Sequence, residues 1–309
     1  MDRPTTPWTG LALAVGGSIA FSGKAIIVKL AYRHGVDAVM LIMLRMAMAL
    51  PFFALIAWWA GRGKPPLTRR DWWVISGLGL SGYYLASMLD FMGLAYISAG
   101  LERLILYLNP TLVLLLGWVR FGRRASTRQL LAMVTSYAGV LLTFSHEVNL
   151  QGDHVLLGGL LVFASAVSYA IYLVYSGEEV KRLGPLRLTG LASSVACGLC
   201  IAQFVLLRPL ASLADVAPAV WWLSLLNATV CTVAPVLMVM MAIERVGATL
   251  TAQTGMIGPL STITMGVVLL DEPFSGWIAA GTLLVLAGVA LLADGQRRQV
   301  AATAPSRPA

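Results

Sequence analysis

Charge is scarce in this sequence. Asp, Glu, Lys and Arg make up 12% of its 309 residues, about half of the roughly 25% that a soluble domain carries. With 58% of residues hydrophobic, the polar coat that globular domains of this length need is missing, which excludes an ordinary cytosolic enzyme. The same figure excludes a disordered chain, which requires low hydrophobicity. Cysteine is scarcer still. The three present cannot build a disulfide framework, and Cys197 and Cys200 form a CxxC inside an apolar run with no second CxxC or histidine pair. They read as small helix-packing residues rather than as a redox or metal site. His34, His146 and His154 fall between apolar runs and away from ligand spacing, so neither a metal nor a cofactor is expected. HExxH, GxSxG and paired intrahelical aspartates are absent from the sequence, which argues against an intramembrane enzyme.

What the chain does have is apolar length. A stretch of about 20 residues spans the roughly 30 Å hydrocarbon layer as a helix. Ten such stretches are present, at about 8–31, 36–59, 73–97, 99–119, 127–145, 156–176, 188–207, 221–243, 249–270 and 275–293. The expected fold class is therefore an all-α membrane protein of ten transmembrane helices. The first stretch is too long for a cleaved signal peptide, and it carries Lys24 and Lys29. The basic excess, 22 Lys+Arg over 14 Asp+Glu, does not form a stripe of the kind that binds nucleic acid. It falls in the loops, and it orients the chain. With the N-terminus in the cytoplasm, sixteen basic residues lie on that side, among them Arg62, Lys64, Arg69, Arg70, Lys181, Arg182 and Arg187. Three, Lys29, Arg33 and Arg208, lie on the other, beside the acids Glu147, Asp153, Asp215, Asp271 and Glu272. The positive-inside rule then puts both termini in the cytoplasm.

The chain also repeats itself. Displaced by 149 residues, Pro110 falls on Pro259, Gly117 on Gly266, Ser126 on Ser275, and Ala138-Gly139-Val140 on Ala287-Gly288-Val289, with no gap from about 94 to 142. Proline and glycine in register carry more weight than apolar matches, because each fixes a backbone feature. Five spans per repeat is an odd number, so the two halves should lie in the membrane with opposite orientation, an architecture of secondary transporters whose substrate sits between the halves. The expected units are 10–145 and 156–294, followed by a cytoplasmic tail, 295–309. Alternatives weighed on the residues are an intramembrane enzyme, a channel and a receptor-like membrane protein. A channel needs no two-half design, and a receptor-like protein leaves the duplication unexplained. There is no P-loop for ATP-driven transport.

Within the spans lie five charges: Lys24, Arg45, Asp90, Glu102 and Arg103. Each costs on the order of 2.5–3.5 kcal/mol on insertion scales, so each needs a partner or a wet cavity. At 1.5 Å rise per residue all five fall in the outer half of the first repeat. Lys24 and Arg45 are candidates to attract an anionic or zwitterionic group, and Glu102 or Asp90 to exchange a proton. The plainer alternative pairs Asp90 with Arg103 across the short turn while Lys24 snorkels outward. Among uncharged groups, Tyr169 and Tyr172 share a helix face and with Tyr107 could clamp an organic solute. Gln253 takes the repeat place of Leu104, one turn from Glu102. Tyr83, Tyr84, Asn109 and Asn227 also lie within spans, while Trp58-Trp59, Trp72-Trp73 and Trp221-Trp222 read as interfacial anchors. Pro110 and Pro259 read as hinges, since backbone freed at such breaks is tolerated where it lines a cavity or joint.

Two segments resemble a known family. The stretch from Pro259 to Leu292, PLSTITMGVVLLDEPFSGWIAAGTLLVLAGVALL, is similar to the closing two helices of an EamA-type domain of the drug/metabolite transporter superfamily. Residues 98–142, SAGLERLILYLNPTLVLLLGWVRFGRRASTRQLLAMVTSYAGVLL, resemble the same unit in the first half. The first half departs from the second in having Gly122-Arg123 where the second has Asp271-Glu272, a swap that suits positive-inside topology. The resemblance implies a ten-helix secondary carrier in the bacterial cytoplasmic membrane. It further implies an exporter of small polar metabolites such as amino acids, or a nucleotide-sugar or organic-anion exchanger. Its partners would be the solute, membrane lipids and a proton or exchanged solute, with a homodimer as a compatible assembly and no nucleic acid.

Overall fold

The structure, a computed structural model, describes residues 7–121, 126–151, 154–255 and 257–303. Among these there is helix and connecting turn but no strand. The helices are α1 Pro7–Tyr32, α2 Ala38–Gly61, α3 Arg69–Gly79, α4 Ala86–Leu94, α5 Ala99–Leu106, α6 Asn109–Phe121, α7 Thr127–Gln151, α8 His154–Leu183, α9 Pro185–Leu207, α10 Pro218–Ala228, α11 Ala234–Thr254, α12 Ile257–Leu270 and α13 Gly276–Thr303. One π-helical segment, Leu80–Leu85, joins α3 to α4, and another, Thr229–Val233, joins α10 to α11.

The starts follow local chemistry. Asp37 accepts a hydrogen bond from the Met40 N–H (2.8 Å) at the start of α2. Thr68 and Asp71 cap α3 reciprocally, and Ser98 accepts from the Leu101 N–H (3.0 Å) to begin α5. Gly35, Gly63 and Gly184 take positive φ in the tight turns. Among the described residues seven segments are long and apolar enough to cross a membrane: Trp8–Tyr32, Ala38–Gly61, Ala99–Val119, His154–Gly177, Pro185–Leu207, Pro218–Val246 and Gly276–Ala293. The outer surface is greasy. Leu206 is 83% exposed and Trp222 72%, with Val119, Val268 and Leu283 similarly bare, a surface that suits lipid and would be a liability in water.

Glycine sets the close contacts, and these recur 149 residues apart. A Cβ on Gly139 of α7 would lie 2.6 Å from the Gly281 carbonyl of α13, and one on Gly288 2.7 Å from the Ala132 carbonyl. Gly288 and Gly281 are Gly139 and Ala132 displaced by 149, so the α7–α13 contact maps onto itself. In the same way Gly23 meets Cys231 between α1 and the second π segment, while Gly82 of the first π segment meets Tyr172 of α8. The π segments themselves begin 149 residues apart, at Leu80 and Thr229.

One boundary differs from the sequence reading. The break expected at 243–249 is not a helix end, since α11 continues to Thr254. The contacts nevertheless show the chain reversing. Gly10 of α1 meets Arg245 and Val246, whereas Ser18, two turns further along α1, donates to the Gly255 carbonyl (3.1 Å). α12 then runs parallel to α1, from Ser22 Oγ donating to Gly258 O (3.0 Å) up to Arg33 donating to Leu270 O (2.7 Å). Apolar side chains of α1, α2, α4 and α9, including Ile26, Leu41, Ile42, Phe91 and Phe204, fill the largest core.

Candidate functional site

The turn Ala95–Ser98 folds α5 back beside α4, and both lie against α1. Four of the five intramembrane charges meet there. Lys24 Nζ donates to Asp90 Oδ2 at 2.5 Å and stands 3.4 Å from Glu102 Oε1. Arg103 Nε is 4.0 Å from Glu102 Oε2, but it donates to Thr262 Oγ1 of α12 (3.0 Å), and Nη2 donates to the Phe21 carbonyl (3.3 Å). Glu102 is 0% exposed, and Asp90, Lys24 and Arg103 are buried with it. Among the described residues neither Glu102 oxygen has a hydrogen-bond partner, nor does Asp90 Oδ1. The Lys24–Glu102 approach is therefore an ion contact rather than a hydrogen bond. The alternative pairing of Asp90 with Arg103 is not what the structure holds. Asp90 faces α1 and takes Lys24, while Arg103 is drawn to α12, and Lys24 turns inward instead of snorkelling.

Arg45 stands apart from this group. Its guanidinium lies over the Phe91 ring, 4.6 Å from the centroid. Among the described residues Nη2 reaches only the Met46 thioether, at 4.0 Å, and Nε has no partner. Cys197 and Cys200 are buried free thiols nearby, with Cys197 Sγ 3.7 Å from Met46 Sδ.

The tyrosines divide into two places. Tyr169 and Tyr172 stack at 5.5 Å, as their spacing predicts, and Tyr83 joins them edge-on at 5.1 Å with its hydroxyl 3.1 Å from that of Tyr172. Tyr107 is elsewhere, its hydroxyl donating to the Gly255 carbonyl, so these contacts do not draw the three expected tyrosines into one clamp. Tyr83, which sequence reasoning left in the background, replaces Tyr107 in the cluster. Pro110 and Pro259 each stand in the first turn of a helix that follows an interruption, Tyr107–Leu108 before α6 and Gly255 before α12. Proline is well suited to a first turn, where its missing N–H costs nothing. The side chain of Gln253 and the Gly122-Arg123 turn lie outside the described residues. Asn227, in the last turn of α10, is buried with both amide atoms unpartnered.

A second polar cluster was not expected. Its acids appeared in the sequence only as loop charges. At the C-terminal end of α1, Glu272 Oε1 accepts from the Ala99 N–H (2.9 Å) and lies 3.6 Å from Lys29 Nζ. Lys29 donates to the Ile97 carbonyl (2.6 Å). Glu147 of α7 accepts from the Ser98 N–H (3.2 Å) and from its hydroxyl. Lys29, Ser98, Glu147 and Glu272, with His146 and Ile278, line a cavity of about 80 Å³. Ser98, which caps α5, is the residue that draws acceptors to this place, and the sequence reading did not single it out. Among the described residues no group of three or more His, Cys, Asp or Glu is arranged to hold a metal ion.

Residues 8–145 and 156–293 each match the EamA-like transporter family. The chain is similar to "Uncharacterized transporter YcbK" of Bacillus subtilis (strain 168), 28% identical over 264 residues, 83% of each chain. It is also similar to an "Uncharacterized transporter" of Archaeoglobus fulgidus, 24% identical over 286 residues, 91% of this chain and 96% of the other. A solved structure, "Crystal structure of protein", aligns at TM-score 0.62 with 18% identity, covering 94% of this chain and 99% of its own. That likeness bears on the fold alone.

Proposed function

Because the chain belongs to the EamA-like transporter family, and is an integral membrane protein with seven segments able to span among the described residues, we propose that it is a secondary active carrier of small polar organic solutes working by alternating access. In this reading the helices form ten spans in two inverted five-helix units, 10–145 and 156–294, with both termini in the cytoplasm of a bacterial cell and net movement outward. The contacts that repeat at a displacement of 149 support the two-unit arrangement. The concentration of basic residues at one end of the spans supports the orientation.

The observation that carries the reading is Lys24 held between two buried carboxylates from different helices. A charge inside a membrane protein marks a transport or proton path by default. Here one ammonium serves two acids, and the three acid oxygens without hydrogen bonds are costly to keep charged and dry. A proton delivered to Glu102 or Asp90 relieves that cost and loosens Lys24, and its loss restores the grip. α1 carries Lys24 and packs on both α11 and α12, so the change is transmitted to the other unit. The interruptions before Pro110 and Pro259 are the joints, with Tyr107 tied to one of them through Gly255.

The test is reconstitution into vesicles with a panel of amino acids, nucleosides and organic anions, with and without a pH gradient. The expected result is flux of at least one solute, stimulated by the gradient, with the stimulation lost in Glu102→Gln and Asp90→Asn. Flux indifferent to the gradient overturns the coupling role. No flux of any solute overturns the carrier.

A further inference from the structure

Of the five charges that the sequence reading places within spans, two cations and two anions neutralise one another: Lys24 and Arg103 against Asp90 and Glu102. Arg45 is left over. No acid side chain among the described residues lies within ion-pair distance of it, although Asp90 is near enough to act on it electrostatically. Its exposure is 3%, so water does not replace the missing counter-ion. Nor is the side chain merely a packing element. Phe91 holds one face of the guanidinium at 4.6 Å, which fixes the plane and leaves the edge, with Nε unpartnered and Nη2 meeting only a thioether. A guanidinium edge presents parallel N–H donors at the spacing of a carboxylate, and an uncompensated buried charge is strongly unfavourable until such a partner arrives.

We propose that Arg45 seats a single carboxylate of the carried solute, which makes the substrates acids or zwitterions with one free carboxylate rather than amides, amines or phosphates. The proposal rests on the carrier reading and deepens it. One unbalanced cation matches one negative charge. A phosphate dianion would call on a second cation, and the next one, Lys24, is already committed to two acids. The surroundings are adaptable: Met46 is soft, and Cys197 and Cys200 are small. Phe91 follows Asp90 directly in the chain, so an anion drawing on Arg45 arrives beside the ion triad that the coupling uses.

The experiment is uptake into vesicles reconstituted with the full chain, using matched probes: benzoate and benzamide, lactate and lactamide, phenylalanine and phenylalaninamide, with uridine and methyl phosphate as further solutes. The wild type is expected to move at least one acid at least ten-fold faster than its amide. Arg45→Gln should abolish that preference by slowing the acid, while Arg45→Lys, which keeps the charge and loses the fork, should retain part of it. Reconstituted yield and monodispersity of Arg45→Gln, together with its flux of the amide, separate loss of the seat from loss of folding. Equal flux of acid and amide in the wild type, or undiminished acid preference in Arg45→Gln, overturns the proposal. Movement of uridine or methyl phosphate but of no carboxylate overturns it while leaving the carrier standing. Movement of nothing overturns both.

Discussion

At the scale of single residues, the buried ion triad makes an unequal wager on its members. Removing Lys24 strands two carboxylates in a dry interior, and breaking a buried pair by deleting one partner costs about 3–5 kcal/mol. Lys24→Met is therefore expected to lower the thermal midpoint sharply, and Asp90→Asn less so, because Lys24 keeps Glu102 at 3.4 Å. The double variant should cost less than the sum of the two singles, as residues in one network couple. Additive effects in thermal unfolding of the purified protein would show that the 2.5 Å contact contributes little. The existence of this cluster was legible in the sequence, since a charge in an apolar run stands out whatever the fold. Its pairing was not. Whether Asp90 meets Lys24 or Arg103 depends on which faces of α1, α4 and α5 turn to one another, and the low amphipathicity of a membrane helix leaves that face unmarked. Arg45 has no acid within ion-pair distance among the described residues, a fact its place in an apolar run could not announce.

At the scale of elements, the helix starts rest on local capping chemistry, which a reading by apolar length passes over. Thr68 and Asp71 form a capping box, with the Thr68 N–H donating to Asp71 Oδ2 (2.8 Å) and the Asp71 N–H to Thr68 Oγ1 (3.2 Å). The end of α8 adds Arg182, which bonds the same carboxylate. Arg182 first, then the Thr68 N–H, holds the Asp71 carboxyl well below the usual carboxylate range. A depressed folded pKa contributes stability that is complete above the unfolded value of about 3.9 and is lost as pH falls through the folded one. The stability gap between wild type and Asp71→Asn should thus be flat from pH 8 to 5 and narrow only below about pH 4. A gap that closes near pH 6 would show that some other group controls this corner. The π segments, by contrast, were not foreseeable, as nothing in LSGYYL or TVCTV announces an i to i+5 register. The length of α11 was also misjudged, because Glu244, Arg245 and Gly247 interrupt the apolar run where the helix nevertheless continues to Thr254.

Glycine contacts tie the elements into the larger assembly and give opposite expectations at two positions. A Cβ at Gly281 would collide with Thr143 Oγ1 and approach the Gly139 carbonyl to 2.7 Å, whereas one at Gly117 of α6 would meet nothing within 4 Å. Gly281→Ala should force α7 and α13 apart at a cost of about 1–3 kcal/mol. Gly117→Ala should be neutral or stabilising by up to about 1 kcal/mol, the usual difference in helix propensity. Thermal unfolding of the two variants compares them directly, and equal effects would deny that the α7–α13 seam is close-packed.

At the scale of the whole molecule, the duplication was the most legible feature, because proline and glycine in register survive where other identities fade. The polar cluster at the C-terminal end of α1 was the least legible. It is assembled from single residues of α1, α5, α7 and the α12–α13 turn, which meet only after folding. Both carboxylates, Glu147 and Glu272, satisfy the start of α5, and Arg33 ties α1 to the last carbonyl of α12. In the two-unit reading these contacts join the halves at the outer face and hold it shut. Glu272→Ala removes the acceptor for the Ala99 N–H and the partner of Lys29 together, so the outward-open state should gain population. Cys231 is a native reporter, buried against Gly23 beside Lys24. In a background with Cys197 and Cys200 replaced by Ala, a membrane-impermeant thiol reagent added from outside should modify Cys231 several-fold faster in Glu272→Ala than in its parent. The rate from the cytoplasmic side should be unchanged or slower, since the two openings exclude each other in alternating access. Acceleration from both sides would mean general loosening, and no acceleration from outside would mean that the closure lies elsewhere.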